Sequence, residues 1–102
     1  MKRVMVRYKV KPDQVEANEE LVRGVYEELA VARPEGLRYA TFKLDDGVSF
    51  VHLAEHGDPN PLRDIAAFRH FQEGIADRCD EQPVAAEVEL VGAYGFFGED
   101  AQ

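Results

Sequence analysis

His52, Glu55 and His56 have the spacing of the H-x-x-E-H motif, in which two histidines bind the zinc ion of a peptidase. The motif requires a helix, because only there do side chains four positions apart share a face, with about 6 Å between their roots. The flanking residues instead predict a strand: β-formers surround His52, and a glycine and two prolines follow His56. On a strand the two histidines would lie about 13 Å apart, too far to share one zinc ion with bonds of about 2 Å. We therefore predict no metal site, a strand position for His52 and a loop position for His56.

Two amides interrupt faces that are otherwise apolar. Asn18 lies near the middle of the first predicted helix and Gln72 near the middle of the second. A buried amide without a partner costs about 1–3 kcal/mol, so each needs a backbone, water or ligand partner. An apolar pocket with a few polar anchors is typical of a small-molecule site, and the residues predicted to form one are Tyr8, Asn18, Tyr26, Phe42, Phe68, Phe71 and Gln72. The alternative is that both amides are satisfied within the core and that the tyrosine hydroxyls reach its rim.

The elements that must position these residues follow from the periodicity of the sequence. Residues 4–10 alternate with period two and predict a half-buried strand. A helix is predicted between Pro12 and Pro34, and a second begins at Asn60–Pro61 and includes Cys79 as a packed thiol. Residues 37–44 and 48–55 predict a hairpin around an Asp-Gly turn, and residues 84–97 a long last strand. The order βαββαβ predicts an α+β, ferredoxin-like fold, with an antiparallel four-stranded sheet and both helices on one face.

The two faces of this sheet are predicted to differ. We expect the face towards the helices to carry Val4, Val6, Tyr8, Val10, Ala40, Phe42, Leu44, Val51 and Leu53. The opposite face would then carry Tyr39, Phe50 and His52 among charged residues. Its aromatic side chains suggest partial burial, and an ordinary solvated face is the open alternative.

The composition excludes several classes of protein. The chain has 102 residues, one cysteine and a net charge of −8. This length suits one domain, and the negative charge argues against a nucleic-acid surface. A single cysteine permits no internal disulfide, which favours a reducing compartment. The sequence has neither a signal-like region nor an apolar run long enough to span a membrane, so we expect a cytoplasmic protein.

The last predicted strand raises the question of association. The run Gly92–Phe97 carries three aromatic residues beyond the reach of its own core. Exposed aromatic residues and an uncovered sheet edge both favour contact with another chain. We therefore predict a homodimer in which this C-terminal arm and the polar sheet face meet a second copy; the alternative is a frayed tail.

The strand order, the hairpin RPEGLRYATFKLDDGVSFVHLAEH and the segment FRHFQEGIADRC together resemble the dimeric α/β-barrel proteins, and within them the antibiotic biosynthesis monooxygenase-like group. The resemblance covers nearly the whole chain and implies one such domain over residues 1–102. It also implies a homodimer whose two sheets pack face to face, with a pocket between each sheet and its helices. Members of the group include cofactor-free oxygenases of aromatic polyketides and haem-degrading enzymes.

The chain departs from those enzymes in ways that bear on function. They typically use a tryptophan beside an asparagine, and this chain has no tryptophan. Asn18 lies on a different element from the group's catalytic asparagine, and His70 is predicted to face solvent, so neither role is transferred.

Two functions remain open. One is a cofactor-free oxygenase of a small aromatic or enolic substrate, in which Tyr8 or Tyr26 orients the substrate oxygen and Asn18 or Gln72 donates a hydrogen bond to developing negative charge. The other is a non-catalytic dimeric module that binds a small ligand.

Overall fold

The chain folds into a four-stranded sheet with helices packed against it. Its first strand is the one predicted from the alternation of apolar and polar residues at positions 4–10. The computed structural model describes residues 1–96. The strands are β1 (Lys2–Val10), β2 (Leu37–Lys43), β3 (Ser49–His56) and β4 (Cys79–Glu87), and the helices are α1 (Val15–Ala32), α2 (Ala66–Glu73) and α3 (Ile75–Arg78). The sheet is antiparallel, in the order β2-β3-β1-β4. The predicted ferredoxin-like α+β fold is therefore confirmed.

Helix α1 forms between the two prolines that were predicted to bound it. Pro12 opens a 3-10 turn that leads into the helix, and Arg33 ends it in the left-handed conformation, its N–H donating to the Leu29 carbonyl at 2.8 Å. Its inward face buries Val22 and Val25 against the sheet. No helix within residues 1–96 is long and apolar enough to cross a membrane.

The faces of the hairpin are the reverse of the prediction. Tyr8 pairs with Phe50, and Val6 pairs with His52, so the even-numbered residues of β3 share the helix side of the sheet with Tyr8. Tyr39 joins them from β2, because it pairs with Ala54. The residues wrongly assigned to the helix side are Ala40, Phe42, Val51 and Leu53. Both faces of β3 carry apolar residues, so periodicity alone could not identify the inner one.

The outer surface of the sheet is consequently apolar at its centre. We call it the open sheet face, and it is formed by Met5, Ala40, Phe42, Val51, Leu53, Val84 and Ala86. Phe42 is 50% exposed there. At one side of this face Glu55 pairs with both Arg3, at 2.5 Å, and Arg38, at 3.6 Å.

The second helix and the last strand also differ from the prediction. The helix breaks at Gly74 into α2 and the single turn α3, and Cys79 begins β4 instead of continuing the helix. Strand β4 ends at Glu87 because its partner β1 extends no further than Lys2, so residues 88–96 continue without regular structure. Of the predicted arm, Phe97 lies outside the described residues.

Candidate functional site

A cavity of about 490 Å³ lies between the helix side of the sheet and α2. Its walls are mainly apolar, with Phe68 and Phe71 of α2 facing Val4, Val6 and Ala54 of the sheet. Tyr8, Tyr39 and His52 contribute polar groups to the same cavity. Both the volume and this lining are those of a small-molecule site.

His52 is the polar centre of the site. Strand pairing places it beside Val6 on one side and Thr41 on the other, and its side chain is 5% exposed. Its Nε2 lies 2.7 Å from the Tyr8 hydroxyl, and its Nδ1 lies 2.7 Å from the Tyr39 hydroxyl and 3.2 Å from Thr41 Oγ1. Burial lowers the pKa of His52 to about 4, so the ring is neutral near pH 7.

Asn18 and Arg78 form a second set of hydrogen bonds, which holds the Tyr8 hydroxyl in place. The Asn18 Nδ2 group donates to the Tyr8 hydroxyl oxygen at 2.9 Å, and Asn18 itself is fully buried. Arg78 Nε donates to Asn18 Oδ1 at 3.1 Å, and another guanidinium nitrogen donates to the Phe71 carbonyl at 2.9 Å. The connected side chains Arg78, Asn18, Tyr8, His52 and Tyr39 are called the His52 network below. They come from five different elements, so the network joins α3, α1, β1, β3 and β2.

The hydroxyl groups of the site are protonated near neutral pH. Burial is the main cause that raises the pKa of Tyr8 and of Tyr39 well above the ordinary value of a tyrosine. It raises the pKa of Tyr26 as well, and the Tyr26 hydroxyl lies 2.8 Å from Thr41 Oγ1. Because His52 is neutral too, these side chains present neutral hydrogen-bonding groups and none of them is a strong base near pH 7. Arg63 adds a cation to the lining of the cavity. Such groups are suited to hold an oxygen that carries, or acquires, negative charge.

The structure separates the residues that the sequence had grouped. Tyr8, Phe68, Phe71 and Gln72 line the cavity, although Gln72 is exposed and not at the centre of a buried face. Asn18 lies behind Tyr8. Tyr26 does not line this cavity, and it meets the His52 network through its hydrogen bond with Thr41 and by stacking on Tyr39 at 5.3 Å. The prediction for Phe42 is wrong, because this ring lies on the open sheet face, away from the cavity.

Three central residues were missed by the sequence analysis. His52 and Tyr39 were assigned to the wrong face together with the rest of the hairpin. The available signal was that Thr41 pairs directly with His52, which concentrates polar residues on one side of an otherwise apolar hairpin. Arg78 carried no comparable signal, because the helix was predicted to run past it.

The histidines of the H-x-x-E-H motif both lie on β3, as the strand prediction requires for His52. His56 is the last residue of this strand instead of a loop residue, and its Nδ1 lies 2.7 Å from the Gly57 carbonyl oxygen. Among residues 1–96, no three histidine, cysteine, aspartate or glutamate side chains are placed to hold a metal ion.

Comparison with known proteins identifies the fold. No family model matches the sequence, and no curated protein matches it. A solved structure from Nitrosomonas europaea, provisionally named an antibiotic biosynthesis monooxygenase, is similar at a TM-score of 0.73 and 20% identity, over 90% of this chain and 100% of that one. Another antibiotic biosynthesis monooxygenase is similar at a TM-score of 0.71 and 20% identity, with the same coverage.

A conserved protein from Methanosarcina mazei Go1 is similar at a TM-score of 0.69 and 18% identity, over 86% of this chain and 90% of that one. At these identities the likeness is one of fold. The predicted resemblance to antibiotic biosynthesis monooxygenase-like proteins is thus confirmed at the level of fold.

Proposed function

We propose that the protein is a cofactor-free oxygenase of a small aromatic or enolic substrate that binds in the cavity beside His52. The observation that carries the proposal is the neutral histidine held between two tyrosine hydroxyls, at 2.7 Å from each, in the wall of an otherwise apolar cavity. Two solved structures with the same fold are named as monooxygenases, which supports oxygenation over other chemistry of an enolic substrate.

The shape of the site favours a flat, mainly apolar substrate. Phe68 and Phe71 form one wall, with their ring centres 6.3 Å apart, and Tyr39 meets Phe68 edge to face at 6.2 Å. Aromatic walls of this kind bind another ring by stacking and by burial of its surface. An oxygen substituent on that ring would then be directed towards Tyr39 and His52.

The absence of a strong base among these groups restricts the substrate further. Since His52 has a pKa of about 4 and both tyrosines stay protonated, none of these three groups removes a proton from the substrate, which favours a substrate that ionises in water on its own. Only enols and phenols that are acidified by a conjugated carbonyl do so readily near neutral pH. The site then stabilises the resulting anion by hydrogen bonds, a contribution worth about 10²–10³ in rate for one well-placed donor.

The reaction consumes dioxygen and no other oxidant. The enolate carbon transfers an electron to dioxygen, the two radicals combine, and protonation gives a hydroperoxide on that carbon. Loss of water from the hydroperoxide leaves a carbonyl group. One oxygen atom of dioxygen enters the product and the other leaves as water, together with the two hydrogens that a CH₂ carbon loses.

The experiment uses dithranol, a tricyclic enolisable phenol, with metal-chelated protein in an oxygen electrode. We expect oxygen uptake above the spontaneous rate, and Tyr39→Phe should lower the catalysed part about 100-fold. Tyr94→Phe is the matched control, because Tyr94 does not line the cavity and the substitution keeps its ring on the arm. The proposal fails if uptake is the same with and without protein, or if both variants have the same effect.

The second candidate is a non-catalytic module that binds the same class of ligand. It is favoured by one specific observation, the absence of any group in the His52 network that acts as a base at neutral pH. In this case dithranol would bind under nitrogen, as measured by tyrosine fluorescence or by a rise in melting temperature, and yet oxygen uptake would equal the spontaneous rate.

We also propose that the chain forms a homodimer through the open sheet face and the arm at residues 92–97. An uncovered apolar sheet face is unusual in a monomer, and on the arm Tyr94 and Phe96 are exposed as well. The single cysteine permits no internal disulfide, and on this basis we place the dimer in the reducing cytoplasm.

Light scattering at micromolar concentration tests the assembly. We expect a dimer for the natural chain, a monomer for Phe42→Lys, and an unchanged dimer for Val31→Lys, whose side chain is 84% exposed on α1. Deletion of residues 94–102 should weaken the dimer. A monomeric natural chain would refute the assembly and leave the cavity untouched.

A further inference from the structure

We infer that Arg78 and Asn18 fix the tautomer of His52, and that they thereby make Tyr39 the hydrogen-bond donor that faces the ligand. Arg78 and Asn18 are positioning residues, which do not line the cavity themselves. Its ligand class rests on the proposed function, whereas the tautomer can be measured without any ligand.

The direction of the hydrogen bonds begins at Arg78. A guanidinium group can only donate hydrogen bonds, so the Asn18 atom that lies 3.1 Å from Arg78 Nε must be the carbonyl oxygen. The NH₂ group of Asn18 therefore points to Tyr8 and donates to its hydroxyl oxygen at 2.9 Å. Arg78 is buried, and its second contact, with the Phe71 carbonyl, holds it in this orientation.

The hydrogen bond from Asn18 to Tyr8 determines which atom donates between Tyr8 and His52. Because the Tyr8 oxygen already accepts from Asn18, its own hydrogen needs an acceptor, and Nε2 of His52 lies 2.7 Å away. If Nε2 carried a hydrogen instead, the Tyr8 hydroxyl hydrogen would be left without a partner in a side chain that is 2% exposed. Leaving a buried donor unpaired costs about 1–3 kcal/mol, or roughly a factor of 5 to 150 against that tautomer.

The hydrogen-bonding role of Tyr39 follows from the tautomer of His52. A neutral histidine whose Nε2 accepts must carry its hydrogen on Nδ1. This hydrogen points to the Tyr39 oxygen at 2.7 Å, with Thr41 Oγ1 further away at 3.2 Å. The hydroxyl hydrogen of Tyr39 then cannot bind to His52. Its acceptors are Thr41, which hydrogen-bonds to Tyr39, and a ligand oxygen in the cavity that Tyr39 lines.

The cavity is therefore selective for a ligand whose oxygen accepts a hydrogen bond. Enolate, phenolate and carbonyl oxygens meet this requirement, whereas a group that can only donate does not. The reversed chain, in which Tyr39 donates to Nδ1, would expose only the oxygen of Tyr39 and select the opposite class.

Asn18→Asp is the substitution that reverses the chain with little change in shape. Aspartate accepts at both oxygens, and the adjacent Arg78 keeps it ionised. The Tyr8 hydroxyl must then donate to Asp at position 18, so that Nε2 of His52 becomes the donor to Tyr8 and Nδ1 becomes the acceptor from Tyr39. A role of Asn18 in packing alone would leave the tautomer as it was.

Long-range ¹H–¹⁵N spectra of the histidine rings measure the tautomer directly. For the natural chain we expect His52 with a hydrogen on Nδ1 and none on Nε2, and for Asn18→Asp the reverse. A hydrogen on Nε2 in the natural chain overturns the inference, and so does an unchanged tautomer in the folded variant. The natural chain alone can refute it, so the test does not depend on the variant folding.

Binding of 1-tetralone, whose carbonyl only accepts, is compared with that of tetralin, which lacks the oxygen. The natural chain should prefer the ketone by about three- to tenfold, and both Asn18→Asp and Tyr39→Phe should lose this preference. Tyr39→Phe should nevertheless keep the hydrogen on Nδ1, which separates the donor from the residues that position it. Equal preference in all three proteins overturns the assignment of Tyr39. Absence of oxygen uptake with the expected tautomer would refute the oxygenase proposal and leave this inference standing.

Discussion

Removal of the hydroxyl oxygen of Tyr8 should destabilise the protein far more than removal of the same atom from Tyr94. Tyr8→Phe keeps the ring in its stack with Phe50, whose centroid lies 5.5 Å away, and deletes only the hydroxyl. That hydroxyl lies within hydrogen-bonding distance of Asn18, at 2.9 Å, and of His52, at 2.7 Å. Both of these side chains are buried and would each lose a partner.

The magnitude follows from these two orphaned groups. Each buried group without a partner costs about 1–3 kcal/mol, and part of this is returned because the hydroxyl no longer has to be desolvated. We therefore expect a loss of about 2–4 kcal/mol, which for a chain of this size lowers the melting temperature by roughly 10 °C or more.

Urea denaturation of both proteins at one concentration is the assay, so that any association affects them equally. The midpoint should shift while the slope m stays constant, because the surface exposed on unfolding is the same. Tyr94→Phe removes the same atom from a tyrosine that is exposed within the single chain and keeps its ring on the arm, so its stability should stay within about 0.5 kcal/mol of the natural chain. If Tyr8→Phe changed the stability no more than this control, the hydroxyl would not hold the network together and the reasoning would be refuted.

Three further predictions concern groups around the site. Burial lowers the pKa of His52 to about 4 from 6.5, so the unfolded chain gains a proton over this range that the folded chain does not. The free energy of unfolding should therefore fall by roughly 3 kcal/mol between pH 7 and pH 4, a loss that His52→Gln should reduce and that exposed His70→Gln should leave intact. Burial also raises the pKa of the Cys79 thiol, so a thiol reagent should label it only in denaturant; rapid labelling of the folded protein would contradict its packing. Glu28 accepts two backbone N–H groups at the start of α2, so Glu28→Ala should cost about 0.5–2 kcal/mol in thermal melts, and exposed Glu27→Ala much less; equal costs would argue against the cap.

The fold could be predicted because its signals are local. Alternation in residues 4–10, the prolines around α1 and the turn before β3 each specify one element, and the order of these elements leaves few topologies. The break at Gly74 was missed because a glycine is common within a helical pattern, and tertiary contacts decide whether the helix breaks there. The length of β4 was overestimated for a related reason, since a strand ends where its partner ends and not where its own β-formers do.

The site could be predicted only in part. Asn18 and Tyr8 were found because polar groups on apolar faces stand out in a sequence. His52 and Tyr39 were lost because strand pairing, which is a property of two separate segments, decides the face on which each lies. Arg78 was lost because a charged residue becomes buried only when its partners, here Asn18 and the Phe71 carbonyl, are supplied by the tertiary structure.

The alternation of β3 also bears on how the chain avoids misfolding. A strand with apolar residues on both faces can shift its register by one residue and still bury apolar side chains. In β3 this shift would bring Val51 or Leu53 into the position of His52. In the slipped pairing Tyr8 and Asn18 would lose hydrogen-bond partners. The polar groups of the site therefore raise the free energy of this competing structure more than they lower that of the native one. An interior made wholly apolar at these three positions would be expected to melt at a higher temperature and to populate a mixture of strand pairings.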